Sequence, residues 1–572
     1  MNFKSQESAK KLRGGYYTPP PIADFLSRWA LAHHPQRVLE PSCGDGRFLH
    51  ALSKQINAGN RLAPAFVDAV ELIPQEAERA SHSSSALRQL STEVDIINDD
   101  FFNWIETANG NSWDAIIGNP PYIRYQYFEA AQRDKAKRIF ERANVPFSKR
   151  TNAWVPFVIA SVMHLAPNGR LAMVIPAEIL HVQHANGLRL LLEQEMISVT
   201  LIHFRQIVFR ETLQGVVLLL AEKRDTQAFR PLIYNNTPQL SLFNIAPQQH
   251  ADLQIVDLDS LEDLQTLDLS TIPRHVALPD WNGNWMLALL NDNELQLLNR
   301  LQGNEQIQVF ESIADAQIGI VTGANKFFAV NDTILNRYQL EAISSPMLAK
   351  SNLIQGILYT AADHEANRLA GRNVHFLKFP DVPVTELPPN MVDYIHSGEL
   401  QNLHTRYKCR IRAPWYVVPY VWVSEIALLK RCHHFPKLAL NKLGAYSTDT
   451  AYRVTMKPAY KERAKDLVFS FLNSLTFLYA ELLGRHYGGG VLELVPSEIE
   501  NLRIPLISVS DEQFAKVDAI IRNGVDLDTL LDYTDTIILR DAIGLAKEEI
   551  EQIRKAHKKL MLRRLRVRHH ES

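Results

Sequence analysis

Short apolar runs alternate with amphipathic stretches from the start of the chain to about residue 222, and each run closes on polar or acidic residues. Arg37-Val38-Leu39-Glu40 reads as a strand that ends in a carboxylate. It runs into Pro41-Ser42-Cys43-Gly44-Asp45-Gly46, after which Phe48, Leu49, Leu52 and Ile56 fall at the spacing of one helix face. Phe66-Val67-Asp68-Ala69-Val70-Glu71-Leu72 repeats the pattern, as do Val94 to Ile97 before Asn98-Asp99-Asp100-Phe101, and Trp113 to Gly118. Such alternation predicts an α/β fold whose mostly parallel sheet binds a ligand across its carboxyl edge. From Arg230 to about Trp285 the pattern loosens into prolines, Asn235-Asn236, paired glutamines and an acidic patch at Asp257 to Asp263, the marks of a connector with short elements. Beyond it, Ile318 to Phe328, Ser345 to Asn352, Phe435 to Asn441 and Gly484 to Leu494 are turn-rich strand segments of a mixed α+β region. The expected organisation is a first domain over residues 1–229, a connector over 230–285 and a second domain over 286–572.

The candidate chemistry sits at the ends of the first strands. Asn119-Pro120-Pro121-Tyr122 directly follows the run Trp113 to Gly118. An exocyclic amine on a base or an amide is a poor nucleophile because its lone pair is delocalised, so alkylating it requires acceptors held against its N–H bonds. Asn119 offers a side-chain oxygen, and Pro120 a carbonyl with no N–H of its own. Two prolines fix where these point, and Tyr122 offers a flat face for a planar substrate. The alternative is a Pro-Pro turn that merely ends a strand. Upstream, Gly44 and Gly46 let the backbone approach a ligand closely, but Leu49 stands where a dinucleotide fingerprint needs a third glycine. Glu71 has the placement of a ribose-gripping acid, and the apolar-then-acidic element Val94 to Phe102 suits an adenine held by its amino group and its face.

Taken in order, these motifs resemble the gamma-class adenine-N6 DNA methyltransferases of type II restriction–modification systems, over roughly residues 12 to 222 at motif level. Gly15-Tyr16-Tyr17-Thr18-Pro19-Pro20 is similar to the family's N-terminal cofactor motif, Glu40 to Gly46 to its methionine-binding loop, and Asn119 to Tyr122 to its catalytic motif. Asn152-Ala153-Trp154-Val155-Pro156-Phe157 and the run Leu171 to Pro176 resemble the later motifs. Phe209 matches the aromatic that the family places on the far side of the flipped adenine. The resemblance implies a Rossmann-like methyltransferase domain using S-adenosylmethionine, followed by a C-terminal target-recognition domain. It implies cofactor contacts from Thr18, Glu40, Ser42, Gly44, Gly46, Glu71, Asp100 and Phe101, and catalysis by Asn119, Pro120, Tyr122 and Phe209. The expected partner is double-stranded DNA, with a cognate restriction endonuclease as a further candidate, and the expected form is a cytoplasmic monomer.

Composition narrows the picture without having suggested it. A formal charge of −2 means that local clusters must supply any phosphate contacts. One such cluster follows the catalytic motif, where Arg133, Lys135, Lys137, Arg138 and Arg142 succeed Arg124, Tyr125 and Tyr127; it reads either as a DNA-backbone grip or as a solvated helix face. Another closes the chain, from Arg554 to Arg568, as a phosphate contact, a subunit contact or a solubilising tail. Three cysteines far apart argue for a reducing compartment, and Cys432-His433-His434 lacks the second spaced pair of a zinc site, so no metal is expected. The polar amino terminus and the lack of an apolar run near the ~18 residues of a span speak against secretion and membrane spanning. The rivals are an RNA-adenine or protein-glutamine methyltransferase and a DNA-specificity protein that has lost activity. Intact Glu71, Asp100 and Asn119 weigh against the last of these.

Overall fold

The computed structural model describes residues 17–565 apart from 109, 124–127, 129, 149–150, 206–214, 227–250, 277–282, 488 and 525. Its chain divides into two compact units, Met1–Leu290 and Asn291–Ser572.

The first unit is built on a nine-stranded sheet of order β3-β2-β1-β4-β5-β7-β6-β8-β9. Its strands are β1 (Arg37–Glu40), β2 (Phe66–Val70), β3 (Glu93–Ile97), β4 (Trp113–Gly118), β5 (Leu165–Pro176), β6 (Met196–Phe204), β7 (Val216–Lys223), β8 (Asp252–Leu258) and β9 (His275–Val276). β1 to β5 pair in parallel, and β7 runs antiparallel to both β5 and β6. The chain steps outward from β1 to β3 and then returns to β4 on the other side of β1, so the sheet's direction of growth reverses between β1 and β4. Ligands of such open α/β sheets sit in the crevice at this reversal, outside the carboxyl ends of the strands.

Helices α1 (Pro20–Ala30) and α2 (Arg47–Gln55) bury Ile22, Phe25, Leu26, Phe48, Leu49 and Leu52 in one core with Val38, Ile117 and Val174 from the strands. Further on lie α3 (Pro74–Ser83), α4 (Phe101–Thr107), α5 (Ala130–Arg142) and α6 (Trp154–His164). In α6 Trp154 to Val162 are all buried, which is the signature of an internal helix rather than a surface one.

Within the stretch 230–285, expected as a connector with short elements, two strands join the sheet. Residues Asp252–Leu258 pair in parallel with β6 as β8, and β9 adds a further strand. Leu253, Val256 and Leu258 are buried positions of β8. Acidic neighbours at Asp252, Asp257 and Asp259 mask that run in the sequence.

The second unit holds several small sheets. The largest has the order Ala314–Ile318, Ala451–Met456, Ile426–Leu429, Leu438–Asn441, Leu358–Tyr359. A separate aromatic core gathers Phe327, Phe328, Phe376, Phe379 and Tyr394. Gly489 and Gly490, at φ +81° and +74°, turn the hairpin between Arg485–Tyr487 and Val491–Glu493, the left-handed pair that a tight hairpin needs. Among the described residues no single helix is long and apolar enough to cross a membrane.

The closing helix Lys547–Leu565 folds back onto its own unit. Arg554 donates to Asp535 at 2.6 Å and is also bonded to Asp532; Lys558 meets Asp528 at 3.0 Å; and Arg564 is buried on Glu481 at 2.7 Å. These three cations of the run Arg554 to Arg568, expected to be a phosphate contact, a subunit contact or a solubilising tail, are fastened within the unit. Arg566 and Arg568 lie outside the described residues.

Candidate active site

Glu40 ends β1, and Asn119 follows β4 at once, so the reversal point of the sheet brings an acid and an amide together. The two strand ends lie close: a Cβ added to Gly118 would come within 3.3 Å of Pro41 Cδ. Ser42 Oγ donates to the Asn119 carbonyl at 3.2 Å, tying the glycine loop to the catalytic motif.

Asn119 is held from two sides. Its Nδ2 donates to Thr18 Oγ1 at 3.2 Å, and Tyr122 OH donates to its Oδ1 at 2.9 Å. Thr18 is buried just before Pro19-Pro20, whose restricted φ carries the chain straight into α1. The Tyr122 hydroxyl also reaches the Val174 carbonyl at 3.1 Å, so a single phenolic proton is shared between two acceptors. The Tyr122 ring is half-buried against the core, and Pro120 is buried. Phe209 lies outside the described residues.

The glycine loop is shaped by its neighbours. Gly46 has φ +80° and caps α2, and a Cβ there would lie 2.7 Å from Ser83 Cβ and 2.9 Å from Ala80 Cα on α3. Gly44, at φ +52°, faces open space, and its N–H donates to Glu71 Oε2 at 2.9 Å. The Ile73 N–H holds Glu71 Oε1 at 2.9 Å. Burial pushes the Glu71 carboxyl up, against the pull of these two backbone N–H groups.

Glu40 is almost wholly buried, and among the described residues its Oε2 has no hydrogen-bond partner; Asp45 Oδ1 is likewise buried without one. Burial, reinforced by Asp45 and Glu71, pushes the Glu40 carboxyl well above the usual range. Buried unpaired acids are costly unless something positive completes them. S-adenosylmethionine carries an ammonium and a sulfonium, so the donor set fits it: orphaned carboxylate oxygens, an open glycine, and a third acid one strand away. Cys43 lies in the same loop, but burial beside Glu40 and Glu71 pushes its thiol up and keeps it protonated, unsuited to nucleophilic attack.

Asp100 caps α4, its Oδ1 accepting from Asn103 N–H at 3.1 Å. Its Oδ2 accepts from the Gln132 amide on α5 at 2.8 Å, a contact that sequence reasoning missed because the two residues lie on separate elements. Phe101 is buried and stacks on Phe157 of α6 with ring centroids 4.8 Å apart, while Phe102 meets the same ring edge-on. Phe157 was therefore also missed as a site residue; its signal was a position on α6 three residues beyond Trp154. Asp99, unassigned from sequence, accepts from Asp100 N–H and from Asn103 Nδ2, both at 2.7 Å.

The basic run after the motif is engaged within the protein. Arg138 grips Glu106 of α4 through two hydrogen bonds of 2.8 and 2.9 Å, Lys135 donates to Asn103 at 3.1 Å, and Lys137 pairs with Glu141. The first two of these clamp α5 onto α4.

Both halves of the chain are similar to known proteins. Residues 2–266 match the family model described as N-6 DNA Methylase, and residues 282–539 match that of the C-terminal domain of type II methyltransferase M.Eco57I. The chain is 23% identical over 530 residues to type II methyltransferase M.AccI of Acinetobacter calcoaceticus, covering 89% of this chain and 88% of the relative. Over 497 residues it is 22% identical to type II methyltransferase M.XamI of Xanthomonas campestris pv. amaranthicola, covering 86% and 85%. Among solved structures, the type IIG restriction endonuclease BpuSI aligns over 97% of this chain and 67% of its own at 14% identity, with a TM-score of 0.40.

Proposed function

We propose, from the premise that residues 2–266 belong to the N-6 DNA methylase family and the second half to that of the M.Eco57I C-terminal domain, that this protein is a site-specific DNA adenine-N6 methyltransferase of a restriction–modification system. The observation that carries the reading is the Asn119 amide, held by Thr18 and Tyr122 at the sheet's reversal point, beside the orphaned acid of Glu40.

Bound S-adenosylmethionine supplies a methyl group made electrophilic by its sulfonium. Glu40 and Asp45 would hold the positive end of the cofactor, Glu71 its ribose hydroxyls, and Asp100 with Phe101 its adenine. The target adenine must leave the duplex, at a cost of a few kcal/mol. Stacking on an aromatic face such as that of Tyr122, worth about 1–3 kcal/mol per base, offsets part of it. Asn119 Oδ1 and the Pro120 carbonyl then accept hydrogen bonds from the target amine and draw its nitrogen toward a tetrahedral form with a usable lone pair. Catalysis is by position and electrostatics, without a covalent enzyme intermediate. The second half chooses the sequence, which weighs against a free RNA adenine or a protein glutamine as acceptor. The protein acts in the cytoplasm as a monomer and protects host DNA from a cognate endonuclease.

Asn119→Ala tests this directly. Methylated adenine in DNA from expressing cells should fall to background while cofactor titration stays close to wild type. Near-normal methylation in that variant would remove Asn119 from the chemistry.

A further inference from the structure

The second unit carries a stretch rich in basic and aromatic residues. From Leu400 to Ser424 the sequence has no Asp or Glu, yet it holds Arg406, Lys408, Arg410 and Arg412 together with Tyr407, Trp415, Tyr416, Tyr420 and Trp422. Arg406, Lys408 and Arg410 are exposed, and among the described residues none of them has a carboxylate within ion-pair distance. Some exposed cations elsewhere are engaged, as Arg138 is by Glu106 and Lys558 by Asp528. Tyr407, 63% exposed, has Lys408 Nζ 5.5 Å and Arg410 Cζ 5.9 Å from its ring centroid.

This surface is held in shape from beneath. Arg412 donates to the carbonyls of Thr322 at 2.8 Å and Val321 at 2.6 Å. Cys409 is fully buried, and Gly323, at φ +78°, lets that loop press against the short helix Tyr407–Arg410: a Cβ there would meet Lys408 Cβ at 2.8 Å. At the far end Tyr420 is 88% exposed in the left-handed conformation, φ +57°, which a bulky residue rarely adopts. The buried Arg453, on strand Ala451–Met456, lies 3.9 Å from the Trp422 ring centroid and donates to the Tyr420 carbonyl at 3.3 Å, fixing that tip.

We propose that this basic and aromatic stretch is a duplex-DNA contact, in which Arg406, Lys408 and Arg410 neutralise backbone phosphates and Tyr420 offers its ring to the bases. The inference rests on the DNA-methyltransferase reading and assigns the binding surface within it. Phosphate contacts hold a protein on the duplex irrespective of sequence, whereas an aromatic tip reaching the bases acts where the sequence is read. Unpaired cations gripping phosphates release counterions, so their number appears in the salt dependence of binding.

The test uses the full-length protein with its cofactor and short duplexes, with and without the sequence found methylated in expressing cells. In the triple variant Arg406→Gln, Lys408→Gln, Arg410→Gln, the slope of log affinity against log salt should fall by about 0.9 for each phosphate no longer neutralised, on both duplexes alike. Arg406→Lys with Arg410→Lys keeps the charge and should keep the slope. Tyr420→Ala should weaken binding to the specific duplex about tenfold and to the other less than about twofold. An unchanged slope in the triple variant would overturn the assignment, as would an equal fall in a control triple of Lys461→Gln, Lys516→Gln and Lys555→Gln, or a diminished slope in the charge-keeping variant. If the wild type methylates duplex DNA and the triple variant still binds as it does, only this surface is wrong. If the wild type neither binds nor methylates duplex DNA, the functional reading falls with it.

Discussion

At the scale of single residues, the acids around the glycine loop decide how a cationic cofactor is received. Glu71 accepts from the N–H groups of Gly44 and Ile73, so Glu71→Ala releases the loop and, in the proposed reading, removes a ribose acceptor. Cofactor affinity should drop by roughly 1–3 kcal/mol, the worth of a charged hydrogen bond, and calorimetric titration measures it. Glu40 makes a different prediction. Its carboxyl is protonated over an extended pH range because burial, Asp45 and Glu71 all disfavour the anion. A bound cation favours the anion, so binding expels the Glu40 proton. Affinity for S-adenosylmethionine should therefore rise with pH up to the raised pKa of Glu40 and level off above it, with proton release visible in buffers of different ionisation enthalpy. Glu40→Gln should flatten that profile; a variant that keeps the wild-type slope would assign the proton to another group. Asn119, Glu40 and Glu71 were legible from sequence because each ends or follows a recognisable strand. Gln132 and Phe157 were not, because each reaches the site from an element whose packing no local pattern announces.

At the scale of elements, the closing helix Lys547–Leu565 shows how a basic run can be structural. Arg564 and Glu481 are both fully buried, at 2.7 and 2.9 Å, and Arg564 also donates to the Gly490 carbonyl in the hairpin turn. Burial alone would raise the Glu481 carboxyl, but hydrogen bonds from His486 and Arg564 outweigh it and hold it down at about 2. A depressed folded pKa means that this stabilisation is complete above the ordinary Glu range and is lost as pH falls toward about 2. Glu481→Gln strands a buried guanidinium and should destabilise the second unit by about 3–5 kcal/mol in denaturant titration. Glu481→Leu combined with Arg564→Met should recover much of that loss. A cost under ~1 kcal/mol for the single change would make the pair incidental. Strand β8 errs in the opposite direction: its apolar positions are spaced among aspartates, and the neighbouring strand β6 supplies the pairing that the local sequence does not advertise.

At the scale of the whole molecule, the matches divide near residue 282, and the chain itself divides at Leu290, so chemistry and sequence choice are expected to separate there. Exchanging Asn291–Ser572 for the corresponding half of a relative with another target should redirect methylation to that target and keep adenine-N6 as the acceptor, read by sequencing DNA from expressing cells. Methylation of the original sequence by the hybrid would refute the division. The sequence by itself determined the alternating α/β order, the places of Glu40, Glu71, Asp100 and Asn119 at strand ends, and the reaction class, because strand periodicity and the rigid Asn-Pro-Pro-Tyr turn are local properties of a few adjacent residues. Only the tertiary structure decided which cations are free. Charge runs look alike in sequence, whereas whether Arg138, Arg564 or Arg410 meets a carboxylate depends on residues as far off as Glu481, 83 positions from Arg564, brought near by packing that no window of sequence contains.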